Sequence, residues 1–335
     1  MNNSPSRKRI ARSRLTILLF LICLGTICQA KKENVSPLLP PGGYTIENIV
    51  YKNTIQGAQK LDIYLPHSQT SANTPVVVFI HGGSWMHGNK EEITKKEWIR
   101  LMLKNMLHAG YAVVSIDYRL VNDSITVVYP APLADCKDAV KWVKANALLY
   151  HFDSNRIAVM GTSAGAHLAL MTAYAPDGIA PGNQSLQSYD SRVKCVVDIY
   201  GPTDMSKILR SRLSPIAVSM ASLAFKQKVL DMRSILLWSF TGESGSHPGK
   251  RTEKCLLYSP MTYVRDAVPT IVFHGTKDTV VPFSHTAWLQ QAMTAQGLPI
   301  EVHPIENEDH TFPTITASQS EAMAKSLILF LNSHL

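Results

Sequence analysis

From residue 76 onward the chain alternates between two kinds of segment, and this alternation limits its possible folds more than any other feature. Short apolar runs rich in β-branched residues, such as 76–80 and 111–116, are separated by stretches whose apolar residues recur every three or four positions. Runs of the first kind suit strands buried on both faces, and stretches of the second kind suit helices that cover them. The expected architecture is therefore α/β, a mostly parallel central sheet with helices on both faces.

The expected elements follow from that pattern. Segments 44–51 and 60–65 form an opening strand pair, with Gly57 near the turn between them. A helix covers 93–108 and stops at Gly110, since glycine readily takes the left-handed conformation that ends helices. A longer helix carries Pro132 in its first turn. Its apolar stripe is Cys136, Ala139, Val140, Val143 and Ala147, and its other face carries Lys137, Asp138, Lys141 and Lys144. Strands are expected at 156–160, 193–199 and 270–274, with a helix at 164–174. Helices at 286–296 and 322–331 flank an extended 300–304. Between Tyr200 and Tyr258 the alternation breaks, and a Met-rich stretch too long for a plain connection reads as a helical cap insertion at about 204–257 over the strand ends.

The formal charge of +8 suggests a nucleic-acid partner only until its placement is considered. Arg7, Lys8, Arg9, Arg12 and Arg14 lie in the first 30 residues, and without those residues 28 basic side chains face 25 acidic ones. No basic stripe interleaved with aromatics remains to follow a phosphate backbone, so no nucleic-acid partner is expected. The basic start, the apolar run 15–24 and the small residues Cys28 and Ala30 have the layout of a signal peptide cleaved after Ala30. The rest would then be an exported single domain, 31–335, secreted or periplasmic. An uncleaved anchor is the alternative, although the run 15–30 is shorter than the ~20 apolar residues that span a bilayer. Cys136, Cys195 and Cys255 remain outside the leader. They allow at most one disulfide, and none of their spacings suits a metal.

The chemistry concentrates in four places. Gly161-Thr162-Ser163-Ala164-Gly165 falls between an apolar strand and an Ala-rich helix, where a sharp turn would push Ser163 out of the sheet. At that helix N-terminus the Ala164 N–H has no partner within the helix and lies beside the nucleophile. His81-Gly82-Gly83-Ser84-Trp85 follows the buried strand 76–80, and its glycines let backbone approach a ligand. Gly83, Ser84 and Ala164 are the expected N–H donors to an oxyanion. Asp278 follows strand 270–274, and His310 lies in the loop before the last helix. The order Ser163, Asp278, His310 is the one expected for a nucleophile, acid and base on this fold. Glu306, Glu308 and Asp309 compete with Asp278 as the group that orients His310.

Taken together these motifs resemble the α/β-hydrolase carboxylesterases related to hormone-sensitive lipase. The resemblance is closer to the small feruloyl-esterase-like and arylformamidase-like esterases. It runs from about Tyr44 to the C-terminus, apart from the middle of the cap, and rests on HGGSW (81–85), DYRL (117–120), PAPLADCKDAVKWVKAN (130–146), RIAVMGTSAGAHLAL (156–170), YSP (258–260) and HGTKDTVVP (274–282). It implies the α/β-hydrolase fold and a small-molecule ester substrate with a small or medium acyl or aryl group. The ester would be cleaved through an acyl-enzyme, with no cofactor and no metal. An arylformamidase-like amide hydrolase and a catalytically silent ligand-binding scaffold are the alternatives. Relatives usually have a third glycine where this chain has Ser84, and Gly-His-Gly where it has Asp309-His310-Thr311. DYRL also lacks the Ala-Pro-Glu that follows it in many lipase-type relatives.

Overall fold

The computed structural model describes residues 36–67, 73–121, 126–208, 235–240 and 248–335. The expected leader lies outside them, as does most of the expected cap. Among the described residues eight strands form one sheet: β1 (Tyr44–Thr54), β2 (Gly57–Leu65), β3 (Thr74–Ile80), β4 (Ala112–Ile116), β5 (Phe152–Thr162), β6 (Cys195–Ile199), β7 (Thr270–Gly275) and β8 (Ile300–Ile305). Their order is β1-β2-β4-β3-β5-β6-β7-β8. β2 pairs antiparallel with β1 and β4, and all other pairings are parallel. Among the described residues the main helices are α1 (Glu97–His108), α2 (Ala131–Ala145), α3 (Ala164–Tyr174), α4 (Pro248–Leu257), α5 (Ser284–Thr294) and α6 (Ala317–His334).

The period-two alternation of β3 divides the core into two layers. Val76, Val78 and Ile80 pack with α2, α3 and α5. Val77 and Phe79 face the other way and pack with α1 and α6. All five side chains are fully buried, as a strand covered by helices on both faces requires. This is the α/β-hydrolase fold, and the parallel strands from β3 to β8 all point their carboxyl ends at one rim, where ligand sites of such sheets collect.

Helix ends differ from expectation where local capping intervenes. The 93–108 segment breaks in two: a 3₁₀ turn, Lys90–Thr94, capped by the Asn89 side chain, and then α1. Gly110, with φ of 90°, ends α1 as expected. α6 begins five residues before the expected 322, because Thr316 and Gln319 form a reciprocal capping box.

The polar side of α2 is not a solvated face. Lys137, Asp138 and Lys141 are buried. The Lys137 ammonium donates to the Ala175 carbonyl at 2.7 Å and the Ser191 hydroxyl at 3.1 Å. Asp138 pairs with Lys52 at 2.6 Å and accepts from the Asn183 N–H. Buried charges persist only when so partnered, and here β1 and the segment after α3 cover the helix on the side that periodicity alone assigns to water. Among the described residues no helix is long and apolar enough to cross a membrane.

Candidate active site

Ser163 joins β5 to α3 with φ 52° and ψ −119°, a conformation rare for a residue with a side chain. Such a residue costs ~1–3 kcal/mol and persists only where its surroundings hold it. Here the Ser163 N–H donates to the Ile199 carbonyl at 2.8 Å and its carbonyl accepts from the His167 N–H at 3.0 Å. The flanking glycines are required by space. A Cβ on Gly161 would lie 2.2 Å from the Gly165 carbonyl oxygen, and one on Gly165 would lie 2.1 Å from that of Ile80.

His310 stands in the loop between β8 and α6, and Asp278 in the loop after β7. The Ser163 hydroxyl is 2.9 Å from His310 Nε2, and His310 Nδ1 is 2.7 Å from Asp278 Oδ2. Because Nδ1 donates to the carboxylate, Nε2 is left to accept the hydroxyl proton. Burial works to raise the Asp278 carboxyl, but hydrogen bonds from His274 and His310, with the charge of His310, hold it well below the usual carboxylate range. Its other oxygen accepts from the Val280 and Val281 N–H groups at 2.9 and 2.8 Å. The competing acids are engaged elsewhere: Glu308 accepts from Thr314, Asp309 from Thr279, and Glu306 from the Thr276 hydroxyl.

The imidazole of His310 packs against Tyr200 at 4.8 Å, and Tyr200 meets Phe312, which meets Trp98. Tyr200 and Trp98 wall a cavity of about 450 Å³ that Gly83, Ser84, Ser163 and His310 also line. The Gly83 carbonyl accepts from the N–H groups of Met86 and His87, and Gly83 and Ser84 have φ of 108° and 54°. A Cβ on Gly83 would sit 2.1 Å from the His87 carbonyl oxygen. Ala164 begins α3 beside the serine, so its N–H is one of the helix's unpaired donors.

Buried neighbours hold this loop. His81 stacks on Tyr118 at 4.3 Å and donates from Nδ1 to the Gly82 carbonyl, and burial pushes its imidazole down to about 4. The Trp85 indole donates to His167 Nδ1 at 3.2 Å, while His167 Nε2 donates to the Tyr258 carbonyl at 2.8 Å. His167 is thus a satisfied core histidine, pushed down to about 4 by burial. Arg119, from the DYRL segment, grips Asp135 on α2 with two 2.8 Å hydrogen bonds. The sequence marked none of these supports except through the motifs that contain them.

The family model BD-FAE matches residues 61–293. Among curated proteins, the chain is similar to esterase LipC of Mycobacterium tuberculosis, 26% identical over 82% of this chain and 62% of that protein. It is equally similar to isoprenylcysteine alpha-carbonyl methylesterase ICME of Arabidopsis thaliana, 26% identical over 82% of this chain and 61% of that one. The chain therefore spans about three fifths of the length of these relatives. Among solved structures, a truncated carbohydrate esterase from gut microbiota aligns with TM-score 0.65 and 23% identity, covering 86% of this chain and 96% of that one. Apo esterase 2 of Thermogutta terrifontis aligns with TM-score 0.62 and 25% identity, covering 86% and 92%.

Proposed function

The chain belongs to the BD-FAE family, and from that premise we propose that it is a serine carboxylic-ester hydrolase acting on esters of small or medium acyl or aryl groups. The observation that carries this reading is the unbroken line of contacts from the Ser163 hydroxyl through both nitrogens of His310 to Asp278, at 2.9 and 2.7 Å, opening on an apolar-walled cavity. In this reading His310 takes the Ser163 proton as the hydroxyl attacks the ester carbonyl. Asp278 fixes the imidazole tautomer and stabilises the imidazolium. The N–H groups of Gly83, Ser84 and Ala164 receive the oxyanion, each worth ~3 kcal/mol of transition-state stabilisation. The imidazolium protonates the departing alcohol, and a water activated by the same base releases the acid from the acyl-enzyme. The cavity's size and its Trp98 and Tyr200 walls favour a compact acyl or aryl group over a long chain.

The test uses p-nitrophenyl esters of increasing acyl length and a fluorophosphonate probe. The protein is expected to hydrolyse the shorter esters and to be labelled on Ser163. The Ser163→Ala variant is expected to do neither while keeping its melting temperature. Undiminished turnover by that variant removes the reading.

A further inference from the structure

Asp278 is shared by two histidines, and only one of them faces Ser163. We infer that His274 is a positioning residue for the reaction, its Nε2–H holding the Asp278 oxygen that orients His310. The inference rests on the hydrolase reading above.

His274 is the fifth residue of β7 and is fully buried. Its Nε2 lies 2.8 Å from the Val281 carbonyl oxygen and 3.3 Å from Asp278 Oδ2. Both neighbours only accept, so Nε2 carries a hydrogen that they share. Its Nδ1 lies 2.6 Å from the Thr286 hydroxyl on α5, and Phe283 packs edge-on against the ring at 5.6 Å. The ring therefore cannot turn without losing partners on both sides. The same Oδ2 accepts from His310 Nδ1, while Oδ1 is occupied by the Val280 and Val281 N–H groups. The carboxylate is thus gripped by two imidazoles and two backbone donors. The other charged or titratable groups that act on this cluster are Asp198 on β6, Tyr200 just after it, His285 on α5 and Asp309 beside His310.

With Oδ1 fixed by the backbone but Oδ2 held by one imidazole alone, Oδ2 could shift as that imidazole gains and loses its proton. A second donor on the same oxygen fixes it in place through both states. It also draws part of the negative charge away from His310, so the imidazolium gives up its proton to the leaving group more readily.

The experiment compares His274→Phe, His274→Gln and His274→Asn with the wild type, using p-nitrophenyl butyrate across pH 5–9. His274→Phe fills the space without a donor and is expected to lower kcat ~10-fold with KM within twofold. The acid limb of its kcat/KM profile is expected to move up by roughly half a pH unit, since more of the Asp278 charge then falls on His310. His274→Gln, whose amide reaches Asp278, is expected to restore most of kcat and the original limb. His274→Asn, one methylene shorter, is expected to behave like the Phe variant, and it carries the test if the Phe variant does not fold. A folded Phe or Asn variant with wild-type kcat and limb overturns the inference. Losses that merely follow the drop in melting temperature in all three variants, with no displaced limb, overturn it as well. Wild-type activity that depends on Ser163 keeps either failure separate from failure of the hydrolase reading.

Discussion

The Asp309 carboxylate accepts from both the N–H and the hydroxyl of Thr279, at 2.8 and 3.0 Å, and so ties the loop that carries His310 to the loop that carries Asp278. The same oxygen accepts from the His310 N–H at 2.6 Å. Relatives usually have glycine at this position. In this chain the carboxylate acts as a strap between loops and is not a partner of the imidazole ring. Asp309→Gly is therefore expected to lower kcat ~3- to 10-fold by loosening the distance between base and acid. Asp309→Asn keeps an accepting oxygen and is expected to stay within twofold of wild type. Steady-state kinetics on a p-nitrophenyl ester measure both.

Asp278→Asn tests the acid while changing almost no volume. The amide NH₂ would face His310 Nδ1 and force the hydrogen onto Nε2, the tautomer that cannot take the Ser163 proton. The expected loss is ~10⁴-fold in kcat, as the wrong tautomer gives in comparable triads. The Val280 and Val281 N–H groups would still find the Asn oxygen, so the fold should survive. Kinetics alongside far-ultraviolet circular dichroism check this. A loss below tenfold would mean that His310 is oriented by something other than Asp278.

Ser84 occupies a left-handed conformation, φ 54°, at the position where relatives usually carry a third glycine. A side chain there costs ~1–2 kcal/mol, against ~0.5–1 kcal/mol of extra chain entropy for glycine. Ser84→Gly is expected to leave kcat unchanged, because the N–H is retained, and to raise the melting temperature slightly. Gly83→Ala is the opposite case. Its Cβ would collide with the His87 carbonyl, displacing the loop that lines the cavity, and kcat is expected to fall at least 10²-fold. Thermal melts and initial rates on the pair separate loop strain from oxyanion binding.

The sequence carried most of the frame because the central strands β3, β4, β6 and β7 are buried on both faces and so read as uninterrupted apolar runs. The match of α3 to 164–174 follows from the same cause, since glycines and a serine mark its start. Ser163, Asp278 and His310 were legible because the fold constrains each to a distinct kind of turn, and the structure brings all three together. What escaped depended on tertiary cover. Lys137 and Asp138 look solvated on a helical wheel, and only the chain after α3 and the edge strand β1 make that face interior. His274 looked like an ordinary strand histidine because its partners Thr286, Val281 and Asp278 come from the loop after β7 and from α5. The early start of α6 was readable in principle: Thr316 and Gln319 have capping-box spacing, but the apolar stripe begins later and drew the boundary inward.

Asp198 on β6 gives the last prediction. Its Oδ1 accepts from the Gly201 N–H at 2.8 Å, while Oδ2 is buried with no hydrogen-bond partner among the described residues. Burial pushes the carboxyl up to about 7, against smaller opposing effects of His274 and the Gly201 N–H. In the unfolded chain it titrates near the ordinary 3.8, so between those values the folded protein holds the proton more tightly. The stability this group contributes is complete below pH 4 and is lost as pH rises toward 7. His81, His167 and His285, all pushed down to about 4 by burial, act in the opposite sense and are destabilising as pH falls below 6.5. Whole-protein melts therefore mix two trends, and a variant is needed to separate them. Asp198→Asn keeps the Gly201 contact and removes only the ionisation. Its melting temperature is expected to match the wild type at about pH 4 and below and to exceed it increasingly above that, by a few degrees at pH 8. A constant difference across that range would mean that Asp198 is already ionised in the folded protein, and that its unpartnered oxygen is tolerated for a reason other than a retained proton.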